Sequence, residues 1–453
     1  MAIAATVQWE VRTTATASNA NGGGFKPGAS GTDFSQQDAA QYNLTLVTTA
    51  GADAVLLSAS AAADMVGNIA HITSGTNFTV GWYEIISVSV GVSITLDRTC
   101  ATAAGAAGVV NIGGAMSLGS SDDAFFESVE PGNVINVKVG SYTIGGAINI
   151  AKNGTSALPI TIDGYNASRG DNPQGANRPT FVGGAVTLAW GQNWVLKNLI
   201  TTSTESLGNN LSLGCILFNS KATNTSGTAG RNAVSGGQAS RIINVEVVSD
   251  NGNGISGLGA GDKVIGCYAH DCGQIGIDMG AQNDTAAINN IVDTCPTAIQ
   301  TGSAGQRQTV YGNTLYGGAT PGSPGVDGIK LLATTAIYTM IAGNIISGFT
   351  TGINSAAQVD ASFIDFNNFH NNTTNRTNAA VGDNDTALDP QFTDAPNGNF
   401  AVGANMKAIG FPTIFPGALS TSYMDMGAVQ RQEPAGGSSG GARVAGAGRI
   451  SGG

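Results

Sequence analysis

The sequence predicts an all-β chain built around a parallel β-helix solenoid of roughly ten coils. A small β module precedes the solenoid, and an irregular cap and tail follow it. Three observations predict this: a composition poor in charge and rich in glycine, a short apolar motif that recurs about every 23 residues, and a second motif that keeps register with the first.

Glycine accounts for 66 of the 453 residues, and only 11% are charged, where a soluble domain carries roughly 25%. Apolar residues reach 42%, enough for a core, so the chain is not a disordered polar one. Thin strands and tight turns suit such material better than amphipathic helices do. The net charge is −11, and a nucleic-acid surface needs a basic patch that this sequence lacks. No stretch approaches the ~18 apolar residues of a membrane span. The opening MAIAATVQWEVR has no basic region before an apolar one, so no signal peptide is expected. The chain is expected to be made in a cytoplasm. Five cysteines without a CxxC pair predict neither a zinc site nor a disulfide framework.

Along the chain, residues 1–30 carry no period and are read as an N-terminal arm. Residues 31–120 hold strand signals without the coil spacing (NLTLVTT, NIAHITS, WYEIISVS, SITLDRT) and are read as the small β module. Residues 121–380 are assigned to the β-helix. Its early strands are NVINVKV, PITIDGY and WVLKNLI. A polar stretch at 219–240 reads as a long excursion between coils.

The period is clearest after residue 240. The motifs IINVEV, VIGCYA, AINNIV, VYGNTL, IAGNII and IDFNNF place their third residue at Asn244, Gly266, Asn289, Gly312, Gly343 and Phe366, spaced 22, 23, 23, 31 and 23 apart. A Gly/Ala-Ile pair follows each anchor but the last, with isoleucines at Ile255, Ile277, Ile299, Ile329 and Ile353. One insertion, GGATPGSPG at 317–325, accounts for the single long coil. Two strands held in register over ~23 residues describe a chain that returns above itself, burying a core only when stacked. The residue after the anchor is Asn290, Asn313, Asn344 and Asn367 in four successive coils, which predicts a side-chain hydrogen-bond ladder. Residues 381–433 read as a C-terminal cap over the open edge, and 434–453 as a Gly-rich flexible tail.

The stretch VINVKVGSYTIGGAINIAKNGTSALPITIDGYNASRGDNP at 135–173 resembles the opening coils of right-handed parallel β-helix proteins of the pectate-lyase-like superfamily. The closing DPQF…NGNFAVGANMKAIGF…DMGAVQ is similar to the last segment of many such repeat proteins. Residues 9–42 resemble the openings of uncharacterised tailed-phage virion proteins. The resemblance implies a right-handed β-helix over about 130–430. Function is left open, because this fold serves lyases, hydrolases, adhesins and inert spikes alike.

Candidate sites follow from coil register. The residues after the motif isoleucines form an outward stripe of Ser256, Asp278, Gln300, Lys330 and Asn354. Asp278 and Lys330 lie two coils apart, ~10 Å, a candidate acid and base or else a solvated polar face. His270 and Asp293 occupy neighbouring rungs, where a carboxylate poises a histidine as a general base or simply forms an ion pair. Cys272 and Cys295 share a coil position, as stacked thiols or within disulfide range. Asp383, Asp385 and Asp389 are candidate calcium ligands or turn residues; no other cofactor is expected.

Together these readings predict a structural virion protein of a tailed phage: a spike, fibre or head-decoration subunit. Its expected partners are capsid, neck or tail proteins, met through the N-terminal module and the tail, in a homo-oligomer with a trimer favoured. The alternatives are a tailspike lyase or hydrolase of host surface polysaccharide, or a non-catalytic carbohydrate-binding adhesin. Trp9, Trp82, Trp190 and Trp194 all precede the regular coils, which leaves those coils without tryptophan platforms for a sugar groove.

Overall fold

The computed structural model describes residues 3–14, 16–48, 53–118, 123–144, 148–183, 188–204, 207–322, 324–332, 338–357, 362–406, 409–410 and 426–429. The Gly-rich stretch 434–453 lies outside them. The fold is a parallel β-solenoid of about ten turns, accompanied by a closed six-stranded antiparallel barrel. The chain divides into two compact units, Met1–Thr202 and Ser203–Gly453.

The first unit holds the barrel. Its strands, in the order they close, are Tyr42–Thr48, Val55–Leu57, Ser93–Leu96, Gly81–Ser89, Ile69–Phe78 and Ala101–Ile112. Alternation along each strand sends Leu56, Ile72, Ile85, Ile94 and Val110 inward to one aliphatic core. The stretch 1–30, expected to be an arm apart from the periodic body, is not one. Gln8–Val11 pairs in parallel with Val134–Lys138 and carries the buried Trp9. A pairing partner more than a hundred residues away leaves no period to read. The one α-helix among the described residues, Asp123–Ser128, supplies Phe125 and Phe126 to an aromatic core. Phe125 meets Trp9 and Trp82, and Phe126 meets Trp190 and Trp194. Trp9, Trp190 and Trp194 are thus core residues of this unit, and Trp82 is half-buried at its edge.

The second unit shows why the motifs recur. Each coil contributes one short strand to each of three parallel sheets. Examples are Lys263–Ile265 in the first sheet, Tyr268–Cys272 in the second and Ile275–Asp278 in the third. The anchor residue is the bend between the first two sheets. Asn244, Gly266, Asn289, Gly312, Gly343 and Phe366 all have φ between 52° and 68°, the left-handed region, where glycine and asparagine are tolerated best. The glycine of the Gly-Ile pair answers a different need. A Cβ on Gly276 would lie 2.3 Å from Val292 Cγ1, and one on Gly328 2.5 Å from Ile346 Cγ2. The second sheet's inward side chains fill that space. Motif isoleucines stack coil on coil as Ile255, Ile277, Ile299, Ile329 and Ile353, all fully buried.

The polar stretch 219–240 is not an excursion. It contains Lys221–Asn224 and Asn232–Ser235, which pair with the next coil in the second and third sheets. Its inward residues include Ala222 and Ala233, too small to register as an apolar pattern.

The C-terminal segment does two things. Thr386 continues the second sheet by bridging Asn368. The chain then runs along that sheet's outer side: Phe392 and Phe400 pack on Tyr316, while Val402, Met406 and Met426 pack on Ile345.

Candidate functional site

The axial ladder sits at the bend after each anchor. Asn290, Asn313 and Asn344 each donate Nδ2–H to the Oδ1 of the next asparagine, at 3.0, 2.9 and 2.9 Å. Each also donates its backbone N–H to the same oxygen. The second Nδ2 hydrogen goes to a backbone carbonyl, Ala287 O in the case of Asn313. All four asparagines, Asn367 included, are fully buried. At one end Cys267 N–H donates to Asn290 Oδ1. At the other, Asn367 N–H donates to Asp385 Oδ1 at 2.8 Å, so an aspartate of the cap takes the next rung.

That role accounts for Asp385, one of the three candidate calcium ligands. Its Oδ2 accepts from Gly382 N–H and from Arg376. Asp389 is exposed and accepts from Gln391 N–H, and Asp383 is exposed as well. Among the described residues no group of three or more His, Cys, Asp or Glu side chains is placed to hold a metal ion.

The stripe of the third sheet keeps the expected register, with Asp278 beside Gln300 and Gln300 beside Lys330. Asp278 and Lys330 nevertheless take other partners. Asp278 accepts from Ser256 Oγ at 3.1 Å and from Gly280 N–H at 3.1 Å. Lys330 Nζ lies 3.6 Å from Asp327, which also accepts from Asn354 Nδ2 at 2.8 Å.

The densest chemistry lies on the outward side of the second sheet. His270 and Asp293 are neighbours on adjacent strands, but the imidazole does not bond Asp293. Its Nδ1 meets Asp271 Oδ2 at 2.7 Å and its Nε2 meets Glu246 Oε1 at 3.2 Å. Asp271 reaches back because it sits at a left-handed bend with φ of 50°, which aspartate tolerates. Lys221 Nζ donates to the same Glu246 oxygen, Oε1, at 2.7 Å. Tyr268 stacks on the imidazole, ring centres 4.3 Å apart, and donates its hydroxyl to Asp293 Oδ2 at 3.4 Å. Asp293 is 7% exposed, and its other oxygen, Oδ1, is buried without a partner.

Environment drives these groups apart. The hydrogen bond from His270 holds the Glu246 carboxyl down, to about 2, against its burial, and Lys221 adds to the effect. Burial pulls His270 down, yet its bonds to Glu246 and Asp271 outweigh that and leave it raised. Burial pushes Asp293 up to about 6, the charge of Asp271 adds to this, and His270 opposes it. Glu246 is therefore a weak base bound in an ion pair, and Asp293 is the carboxyl that still holds a proton in mildly acidic solution.

Glu246 and Lys221 are absent from the sequence-derived candidates. The fifth residue of each anchor motif, which places Glu246 beside Tyr268, carries the signal that finds Glu246, whereas Lys221 lies outside those motifs. Cys272 and Cys295 are both free and buried. Their thiols donate to His270 O and Asp293 O.

The sequence matches no protein-family model and no curated protein. Among solved structures it is similar to pectate lyase Pel9A, at 18% identity over 70% of this chain and 92% of that one, with a TM-score of 0.48. It is also similar to an alginate lyase from Paenibacillus sp. str. FPU-7, at 15% identity over 58% and 94%, with a TM-score of 0.37. A third is a mannuronic acid specific polysaccharide family 6 lyase from human gut microbiota, at 12% identity over 58% and 75%, with a TM-score of 0.38. Each is a likeness of fold alone.

Proposed function

We propose that this chain is a structural subunit that acts through protein–protein contacts, a β-solenoid spike, fibre or decoration protein of a tailed-phage particle. One observation carries the reading. In the second unit many charges are committed to partners within the chain: Lys221 to Glu246, Glu246 to His270 and Arg307 to Asp284 between coils, Lys330 to Asp327 along one strand, and Arg376 to Asp385 at the cap. Such groups add stiffness and order to a rod and are poorly placed to turn over a substrate. The phage assignment is supported by residues 9–42, which resemble the openings of phage virion proteins.

The second reading, a polysaccharide lyase or hydrolase, is favoured by Asp293. A buried acid raised beside a cation and a depressed carboxylate is the arrangement from which acid–base pairs are built. One pair of measurements separates the readings. The purified chain is incubated with bacterial surface polysaccharides and uronate polymers between pH 5 and 8. New reducing ends, and the ultraviolet absorbance of the unsaturated uronate that a lyase leaves, are then followed. The structural reading expects neither signal, and expects peptides of this chain in purified particles. Turnover that disappears in Asp293→Asn establishes the enzyme reading and overturns the first.

A further inference from the structure

The C-terminal segment crosses the outward side of the second sheet as a hairpin. Asp394 and Asn399 pair in antiparallel fashion, and Thr393 N–H donates to Ala401 O at 3.0 Å. The turn between them is Ala395–Asn397, followed by Gly398 with φ of 74°. The base of the hairpin is anchored. Asn368 donates Nδ2–H to Leu388 O at 2.9 Å and accepts from Leu388 N–H at 2.8 Å, while Val402 and Met406 pack on Ile345. Its tip rests on two tyrosines. Phe392 and Phe400 meet Tyr316, and a Cβ on Gly398 would lie 3.0 Å from the Tyr268 hydroxyl.

Asp293 lies between those tyrosines. Register puts it beside Tyr316 on the following strand, and Tyr268 on the preceding strand donates to its Oδ2. Val292 fills the core, so Asp293 points outward, where a carboxyl ordinarily meets water. It is nonetheless 7% exposed, with Oδ1 buried and unpartnered. His270, its register partner on the preceding strand, is only half-buried. The hairpin makes the difference: it lies against both tyrosines, and so over the carboxyl between them.

Charge makes that cover conditional. The ionisable groups around Asp293 are Tyr268, His270 and Asp271 from the preceding strand, with Glu246 beyond His270, then Tyr316 from the following strand and the Cys295 thiol. On the hairpin's side, residues 386–406 contain no lysine, arginine or histidine, and their ionisable side chains are Asp389 and Asp394. His270 is the one cation of the set, and it is already held by Glu246 and Asp271. A carboxylate buried with one oxygen unpaired is costly, and its protonated form is much less so. Lifting the hairpin returns water to the carboxyl and removes that cost.

We propose that this hairpin is a proton-dependent cover, seated on Tyr268 and Tyr316 while Asp293 is protonated and lifting when Asp293 ionises. Acid therefore closes it. Burial raises the covered carboxyl to about 6 from its ordinary 3.8. Between those values the closed form keeps the proton and the open form gives it up, so seating weakens as pH rises through the window and levels off above it. The proposal stands apart from the functional reading, since such a cover serves a structural subunit and an enzyme equally.

The test is hydrogen exchange of the full chain, each protection factor corrected for the intrinsic pH dependence of exchange. A lone hairpin is marginal in water, so lifting frees the amides of Thr393, Asp394 and Asn399, which are bonded within it. In the wild type their protection is expected to fall about tenfold from pH 5 to pH 7. Asp293→Asn keeps the shape without the titration and is expected to hold the change below about twofold. Asp262→Asn removes the other carboxyl that burial raises to about 6, at the corner where it accepts from Ser240 and Gly259 N–H, and is expected to leave the hairpin's response intact. Phe400→Ala is expected to lower protection at both pH values. Hairpin protection that is equal at pH 5 and pH 7, that keeps its pH dependence in Asp293→Asn, that loses it in Asp262→Asn, or that is unmoved by Phe400→Ala overturns the proposal. None of these outcomes bears on turnover or on presence in particles, which decide the functional reading separately.

Discussion

The barrel and the coils of the second unit solve the same problem with opposite means. The barrel pairs strands far apart in sequence, Tyr42–Thr48 with Ala101–Ile112 for example, around an aliphatic core, and pairs its buried carboxylates Glu84 and Asp97 one by one, with Lys26 and Arg98. The coils pair each strand with its equivalent one repeat later. They bury polar groups freely, because each rung supplies the partner for the next. A buried asparagine is costly alone and stable in a ladder, since its donors and acceptors are used up along the axis. Where a fold repeats, polarity can be stacked; where it closes once, each buried charge needs a partner of its own, as Glu84 has in Lys26 and Asp97 in Arg98.

The largest effects come from breaking those two devices. Asn313 accepts from Asn290 N–H and Nδ2–H and donates to Asn344 Oδ1 and Ala287 O. Asn313→Ala removes all four bonds and leaves buried groups unpaired, an expected loss of about 4 kcal/mol. Hydrogen exchange is expected to show it as lost protection spreading through residues 286–346. Leu56→Ala in the barrel is expected to cost about 3 kcal/mol as a cavity, with lost protection confined to the barrel strands. If the two patterns are alike, the contrast between stacked and closed architecture fails.

A third prediction sets the two regions against each other by pH. In the barrel, burial lowers His71 to about 4 from its ordinary 6.5. Its Nδ1 has no partner, and its ring stacks on Trp82. Between pH 6.5 and 4 the unfolded chain takes up a proton that the folded barrel refuses. Acidification across that window is expected to cost the barrel about 3 kcal/mol. In the second unit, burial raises Asp262 and Asp293 from 3.8 to about 6. There the folded state takes up the protons first, so stability rises as pH falls from 6 to about 4. Below 4.5 the gain is opposed as the unfolded chain begins to protonate the residue paired in the fold as Glu246. Unit-resolved hydrogen exchange at pH 7 and pH 5 is expected to show the barrel loosening and the coils tightening. His71→Gln is expected to flatten the barrel's response, and Asp293→Asn to shrink that of the coils.

What the sequence reveals follows the same division. Coil spacing, the left-handed anchors and the four asparagines are readable because each is a local requirement repeated many times, and repetition separates it from noise. Strand signals in NLTLVTT and SITLDRT are readable too, but not the closure that joins them, since antiparallel partners sixty residues apart leave no period. Gln8–Val11 hides because its parallel partner, Val134–Lys138, lies more than a hundred residues on. Lys221–Asn224 hides because alanine and threonine fill its place in the stack. The His270 site is half legible. Register puts Asp293 beside it, but the bond to Asp271 depends on a bend at Asp271 itself, and the bond to Glu246 crosses to the preceding coil.

The smallest predicted effect is at that site. Glu246, Lys221 and His270 are partly exposed, and ion pairs in contact with water contribute about 0–1 kcal/mol. Glu246→Gln is therefore expected to leave the melting temperature nearly unchanged. It removes one of the two carboxylates that raise His270, so the histidine titration, followed by NMR, is expected to move to lower pH. Asp271→Asn is expected to move it in the same direction, and the two together further than either. A histidine that titrates unchanged in all three variants shows that the imidazole is not held between these carboxylates. A large loss of stability in Glu246→Gln shows instead that the outward network resembles the asparagine ladder in holding the coils together.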